Sequence, residues 1–219
     1  MKYYLEYCLF FIFKRKVFIV ELLLGKPTMR LLDGQERLII RELIKNPRMS
    51  DNKIGKITKV PIRTVNRKRK RLEEEGLVHY FLKINYGERG IGIYGSQICY
   101  ILKFKIGVQL QQVIDEIKAE PKVKSVFGRY ILNSFLIERE GHIGLLLIME
   151  GKNHKEITEI FNATILPSLE KNHGAGCVVG IEAIPIIQEL RYLHNYLPCI
   201  NMEHGVIKKN WPNESIFVD

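Results

Sequence analysis

The sequence predicts an α+β chain in two parts, three short helices followed by a β-α-β-β-α-β run. Three observations carry this. Residues that start and stop helices recur three times between Leu31 and Gly76. From Ile98 onward the apolar residues switch between the period of a strand and that of a helix. The charge divides near the same place. Arg30–Glu75 holds fourteen Lys/Arg against seven Asp/Glu, a net of +7, whereas residues 76–219 hold fifteen against fifteen. The chain carries +10 overall. A basic first part and a neutral second part suggest a module for a polyanion joined to one that senses or assembles.

The first helix opens at Asp33. Glu36, three residues later, completes a capping-box pattern. Ile39, Ile40, Leu43 and Ile44 give its apolar stripe, and Asn46-Pro47 ends it. Ser50 caps a short second helix to about Ile57, with Ile54 and Ile57 facing inward. Lys59-Val60 makes a tight turn. Pro61 suits the first turn of a third helix and Gly76 suits its stop. Three helices with a short turn between the last two form a helix-turn-helix pattern. Leu77–Ile84 is rich in β-formers, and Tyr86–Gly95 reads as turn or linker; together they are expected to form a wing.

The second part reads strand at Ile98–Ile106 and helix at Val108–Ala119, with Leu110, Val113, Ile114 and Ile117 on one face. Strands follow at Val123–Glu138, broken near Asn133, and at Gly144–Glu150. A helix at His154–Lys171 carries the stripe Ile157, Ile160, Phe161, Ile165 and Leu169, and Cys177–Ile187 reads as the last strand. This order is ferredoxin-like. Its sheet has one face covered by helices and one that needs another cover, often a second subunit. The expected boundaries are an extension at 1–28, a winged helix-turn-helix at 29–86, a linker at 87–97, the ferredoxin-like domain at 98–187 and an irregular tail at 188–219. Tyr192, Tyr196, Trp211 and Phe217 are the tail's aromatic anchors.

The third helix carries the chemistry. Arg63, Arg67, Lys68, Arg69, Lys70 and Arg71 lie on it with no acid among them, before Glu73, Glu74 and Glu75. With Val65 as zero and about 100° per residue, Leu72 falls at about 340°, inward with Val65. Arg63, Arg67 and Lys70 fall at about 160°, 200° and 140°, outward. A solvated charged face is the plain reading of most basic helices; a run of cations with nothing to offset it favours nucleic acid. Arg63, Thr64, Asn66 and Arg67 lie where base edges are reached. Lys70 and Arg71 suit phosphate, and Lys59 and Lys68 complete the expected DNA-binding set. Arg69, at about 40°, conflicts with a buried seam and is expected to lay its stem along the core and snorkel.

Leu32-Asp33, Val65 and Arg71-Leu72-Glu73-Glu74-Glu75-Gly76-Leu77-Val78 resemble the helix-turn-helix of leucine-responsive/AsnC (feast/famine) transcription regulators. The β-α-β-β-α-β order resembles that family's small-molecule-sensing domain. The resemblance spans roughly Leu31–Pro185. It implies homodimers or octamers on double-stranded DNA, a cytoplasmic location and amino acids as common effectors, with Gly141 matching the glycine of the sensing turn. The chain departs from the pattern at Pro61, where the family has Ser, at Arg69, where it has an apolar residue, and at Gly141-His142-Ile143-Gly144, which lacks the acid.

Other signals are weaker. Gly90-Ile91-Gly92-Ile93-Tyr94-Gly95 matches GxGxxG, but a strand pattern follows where a dinucleotide site needs a helix. Cys177, His194, Cys199 and His204 could converge on a metal, but spacings of this sort are common by chance, and no GxSxG, P-loop or paired-carboxylate motif occurs. No cofactor, metal or catalytic residue is expected. Cys8, Cys99, Cys177 and Cys199 form no CxxC pair and are expected reduced. Cys8–Leu24 is strongly apolar, but Lys14, Arg15 and Lys16 interrupt it at a cost of at least ~2.5 kcal/mol each in a bilayer. It reads as an element docked on a partner, or as untranslated sequence ahead of a start at Met29. Two other functions fit the two-domain plan: a sirohaem-decarboxylase-like enzyme, which needs a basic or histidine-lined pocket in the second domain, and a metabolite-sensing module that does not bind DNA.

Overall fold

A computed structural model describes residues 30–87, 90–119 and 126–218. The readings for residues 1–28 lie outside them. Among the described residues, no helix is long and apolar enough to cross a membrane. The described residues form two compact units, one within 80–192 and one that takes in 30–79 together with 193–218.

In the first unit, α1 (Gly34–Lys45) starts at Asp33, whose carboxylate accepts from the Gln35 and Glu36 amides while the Glu36 carboxylate accepts from Asp33 N–H. The capping box is therefore complete. Helix α2 (Asp51–Thr58) is capped by Ser50. Lys59 makes the turn in left-handed conformation, φ 61°. Pro61 is the N-cap of α3 (Ile62–Glu74). Gly76, φ 68°, stops that helix, and the Leu77 amide returns to the Leu72 carbonyl at 2.9 Å. Such a positive φ favours glycine. Ile39, Leu43, Met49, Ile54, Val60 and Val65 form the core of the trio. Ile57, expected inside, is exposed.

The wing strand expected at Leu77–Ile84 does not form; the segment is neither helix nor strand. β-rich composition describes a residue's fit to a pleated surface, and a strand needs a ladder partner as well. The C-terminal residues do hold a hairpin, β5 (Met202–Glu203) and β6 (Val206–Ile207), turned by His204 and Gly205 at φ 49° and 78°.

The second unit is the ferredoxin-like sheet, β1 (Ser96–Phe104), β2 (Ile131–Arg139), β3 (His142–Gly151) and β4 (Val178–Ile186), antiparallel in the order β2-β3-β1-β4. Between β1 and β2 lie α4 (Leu110–Ala119) and a short α5 (Val126–Tyr130). The strand expected from Val123 is thus helical at 126–130, where Val126, Phe127 and Tyr130 turn onto the core. The expected break near Asn133 is a register shift between Ile131 and Asn133. Leu110, placed on the inner stripe of α4, is 43% exposed, while Val113 is buried. The last helical segment runs as α6 (His154–Ile160), a π-helical turn (Phe161–Ile165) and α7 (Leu166–His173). Ile157, Phe161, Ile165 and Leu169 are buried as the stripe requires. Phe161 stacks on Tyr100 with ring centroids 3.9 Å apart.

Burial alternates along β1 and β3, the two central strands, and defines two faces there. Ile98, Tyr100, Leu102 and Phe104 of β1 are buried, and the residues between them are not. The other face pairs Cys99 with Ile148 and Ile184, and Ile101 with Leu146, which in turn pairs with Phe135. Among the described residues this stripe is only partly buried, with Phe135 and Ile184 51% and 42% exposed. Arg139 on β2 closes one end of it with an ion pair to Glu182 on β4, 2.7 Å.

Candidate nucleic-acid interface

Helix α3 is held by its apolar side and by ion pairs along its flanks. Val65 and Leu72 are fully buried, as the 3.6-residue period demands. Arg69 donates to the Met49 carbonyl and pairs with Asp51 at 3.1 Å and Glu73 at 3.0 Å. It therefore ties α3 to the start of α2, a more specific role than the expected snorkelling. Lys68 is half-buried and paired with Asp33. Arg30 donates through Nη1 to Glu36 at 2.8 Å and through Nε to Glu75 at 2.7 Å, joining the first turn of α1 to the end of α3.

The shared proton donors set the charge of these acids. The Lys68 ammonium holds the Asp33 carboxyl below its ordinary value. Arg30 does the same for Glu36, and Arg71, then Arg30, for Glu75. A carboxylate whose native value is lowered stabilises the fold fully above the unfolded range near pH 4, and loses that contribution as the pH falls through the native value. Arg30→Ala removes a partner from two of the three. It is expected to lower the urea midpoint at pH 7 and to flatten its decline toward about pH 3, as followed by circular dichroism.

The remaining cations face water. Lys59, Arg63 and Arg67 are exposed, and among the described residues none of them has an acidic partner. Asn66 is exposed and its amide donates to Asp51 at 2.9 Å. Thr64 is half-buried beside them. Lys70 and Arg71 are also exposed, but each sits near an acid one turn on: Glu74 at 3.7 Å and Glu75 at 2.7 Å. The structure thus divides the expected DNA-contact residues. Lys59, Arg63, Asn66 and Arg67 gather at the N-terminal half of α3, with Thr64 at their edge. Lys70 and Arg71 extend them as a screened flank, and Lys68 turns away. Lys53 and Lys56 on α2 are exposed as well. Sequence reasoning passed over them because no run of basic residues marks them.

Gly141 sits in the β2–β3 hairpin turn at φ 75°, after Glu140 at φ 53°. Glu140 pairs with Lys103, and His142 Nδ1 lies 2.8 Å from the Phe104 carbonyl. A glycine is what this turn geometry selects. GxGxxG precedes β1, a strand, so no helix N-terminus meets it. No group of three or more metal-ligating side chains converges among the described residues.

Residues 32–79 match the winged helix-turn-helix DNA-binding family. The chain is also similar in fold to Bacillus subtilis LrpC, with TM-score 0.53 and 17% identity over 73% of this chain and 97% of that one. A transcriptional regulatory protein of Pyrococcus furiosus, a member of the AsnC family, gives 0.52 and 17% over 73% and 92%. The chain carries a winged helix-turn-helix DNA-binding domain within the Lrp/AsnC fold. Two further proteins match a similar share of the chain. An uncharacterised HTH-type transcriptional regulator of Pyrococcus furiosus is 25% identical over 73% of this chain and 97% of its own. A transcriptional regulator of Neisseria meningitidis, solved as an L-Met complex, gives TM-score 0.56 at 16% identity over 74% and 94%. Helix α3 is the last of the three helices inside the matched winged helix-turn-helix region.

Proposed function

We propose that the chain is a sequence-specific transcription regulator that binds DNA as a homodimer or a larger assembly of such dimers. The observation that carries this is the contrast along α3: Arg63 and Arg67 stand exposed with no acidic partner among the described residues, while Lys68 and Arg69 hold the helix in place. In this reading Arg63, Thr64, Asn66 and Arg67 face base edges in the major groove, and Lys59, Lys70 and Arg71 neutralise phosphates. The apolar stripe on the free face of the sheet supplies the dimer. A stripe of this kind in water is costly, and a second copy about a two-fold axis covers both stripes at once. The Lrp/AsnC likeness also supports a small-molecule effector acting at the turn around Gly141, an amino acid being the first class to try. The concentration of cations on α3 favours a regulator over an enzyme.

Selection from a pool of random duplexes tests the reading. The expected product is a pseudo-palindrome with half-sites about 10–10.5 base pairs apart or a multiple of that spacing. Recovery of no common sequence would contradict it. For the effector, a melting curve in each amino acid is the measurement; at 100 times its Kd a true ligand raises stability by about 2.7 kcal/mol.

A further inference from the structure

Helix α1 of an isolated three-helix domain has one covered side and one wet side. At about 100° per residue from the buried Ile39, Ile44, Arg37 and Arg41 fall at about 140°, 160° and 200°, away from the core. None of the three is exposed, and the Nε atoms of Arg37 and Arg41 are buried. The neighbour on α1 is the chain's own C-terminus. Strand β6 lies against α1, and the Tyr196 hydroxyl donates to the Ile44 carbonyl at 3.0 Å. Burial pushes the Tyr196 phenol up from its ordinary value. The segment has its own internal order. Asn201 is fully buried; its side chain accepts from the Leu197 amide and donates to the Asn195 carbonyl. Asn195 clasps the Phe217 backbone through both its amide nitrogen and its oxygen.

The chain therefore crosses between its units twice, at His79-Tyr80 and again at Tyr192-Leu193. Inside the second unit the two crossings are tied together. Lys83 Nζ lies 2.6 Å from Glu189 and 3.4 Å above the centre of the Tyr192 ring. The relatives match about three quarters of this chain and nearly all of themselves, so the remaining quarter has no counterpart in them.

We propose that residues 193–218 are an intramolecular strap, joined to the second unit through the Tyr192-Leu193 peptide bond and seated non-covalently on the outer side of α1, which gives the DNA-binding unit a second tether and so narrows the half-site spacings a dimer accepts. The spacing claim rests on the dimeric DNA-binding reading above. A unit on one flexible linker roams a volume set by linker length. A second connection shrinks that volume. It raises the effective concentration of the second recognition helix at one spacing and lowers it at others.

The test uses the full chain with a protease site inserted between Tyr192 and Leu193, cut after purification. The cut fragment is expected to co-elute with the rest of the chain. Affinity for a duplex with one half-site should stay within about twofold. Affinity for two half-sites at the selected spacing should fall about tenfold, and the penalty for a spacing changed by two base pairs should shrink. Equal spacing selectivity before and after cutting, separate elution of the fragment, or a loss of single half-site binding would each overturn the strap. A readout without DNA keeps the two readings apart. In uncut Ile207→Asp, amide exchange across Gly34–Lys45 should speed up at least tenfold, and unchanged exchange there overturns the seating on α1 whether or not any duplex binds.

Discussion

Replacing Arg67 by Ala is expected to weaken binding to a selected duplex by about 1–3 kcal/mol, roughly five- to 150-fold, while leaving the melting temperature within a degree or two. The expectation follows from position. Arg67 lies opposite Val65 on α3, is exposed, and among the described residues has no acid to satisfy. Lys68→Ala gives the reverse pattern. It breaks the pair with Asp33 and should lower stability by up to ~1 kcal/mol, with a smaller effect on DNA. Fluorescence anisotropy on a labelled duplex and thermal melting of the same samples separate the two. Equal losses of affinity in both variants would mean that the division of α3 into free and tied cations is mistaken.

The second large effect is expected at Leu146→Asp. Leu146 sits mid-stripe on the free face of the sheet, opposite Ile101 on one side and Phe135 on the other. In an isolated sheet the new carboxylate meets water and the fold survives. In a dimer that buries the stripe it meets a second apolar face, and an unpaired buried charge costs several kcal/mol. The variant is therefore expected to sediment as a monomer at concentrations where the parent is a dimer, with Kd for self-association raised at least ~100-fold. Its affinity for a single half-site should be unchanged. A variant that remains dimeric would place the interface elsewhere.

The sequence made these two sites legible to different depths. Helices α1 to α3 could be read closely because their ends are written in side chains that do one thing: Asp33, Ser50, Asn46-Pro47 and Gly76 each act on backbone within a turn of themselves. The outward set Arg63, Arg67 and Lys70 followed from the angular period alone. Their partners did not. Asp33 and Asp51 are far from Lys68 and Arg69 along the chain, and which acid meets which cation is a tertiary fact. Leu77–Ile84 misled for a similar reason, since strand propensity does not supply a ladder. Residues 193–219 hold no long period, so nothing local announced that Tyr196 would reach Ile44 or that Asn201 would be a buried hub. In the second unit the order of elements was clear, while Val126–Tyr130 read as strand because a single helical turn is too short to show its period.

The most direct measurement is the equilibrium affinity for a selected duplex as a function of salt, for the parent and for Lys59→Ala/Lys70→Ala, which removes two of the exposed cations assigned to phosphate. The parent should show log K falling linearly with log[salt], by about 0.9 for every phosphate neutralised, and the double variant should have a shallower slope by up to about two per protomer. A parent affinity that does not change with salt, or a double variant with the parent's slope and affinity, would contradict the assignment of α3 as the surface that docks on DNA.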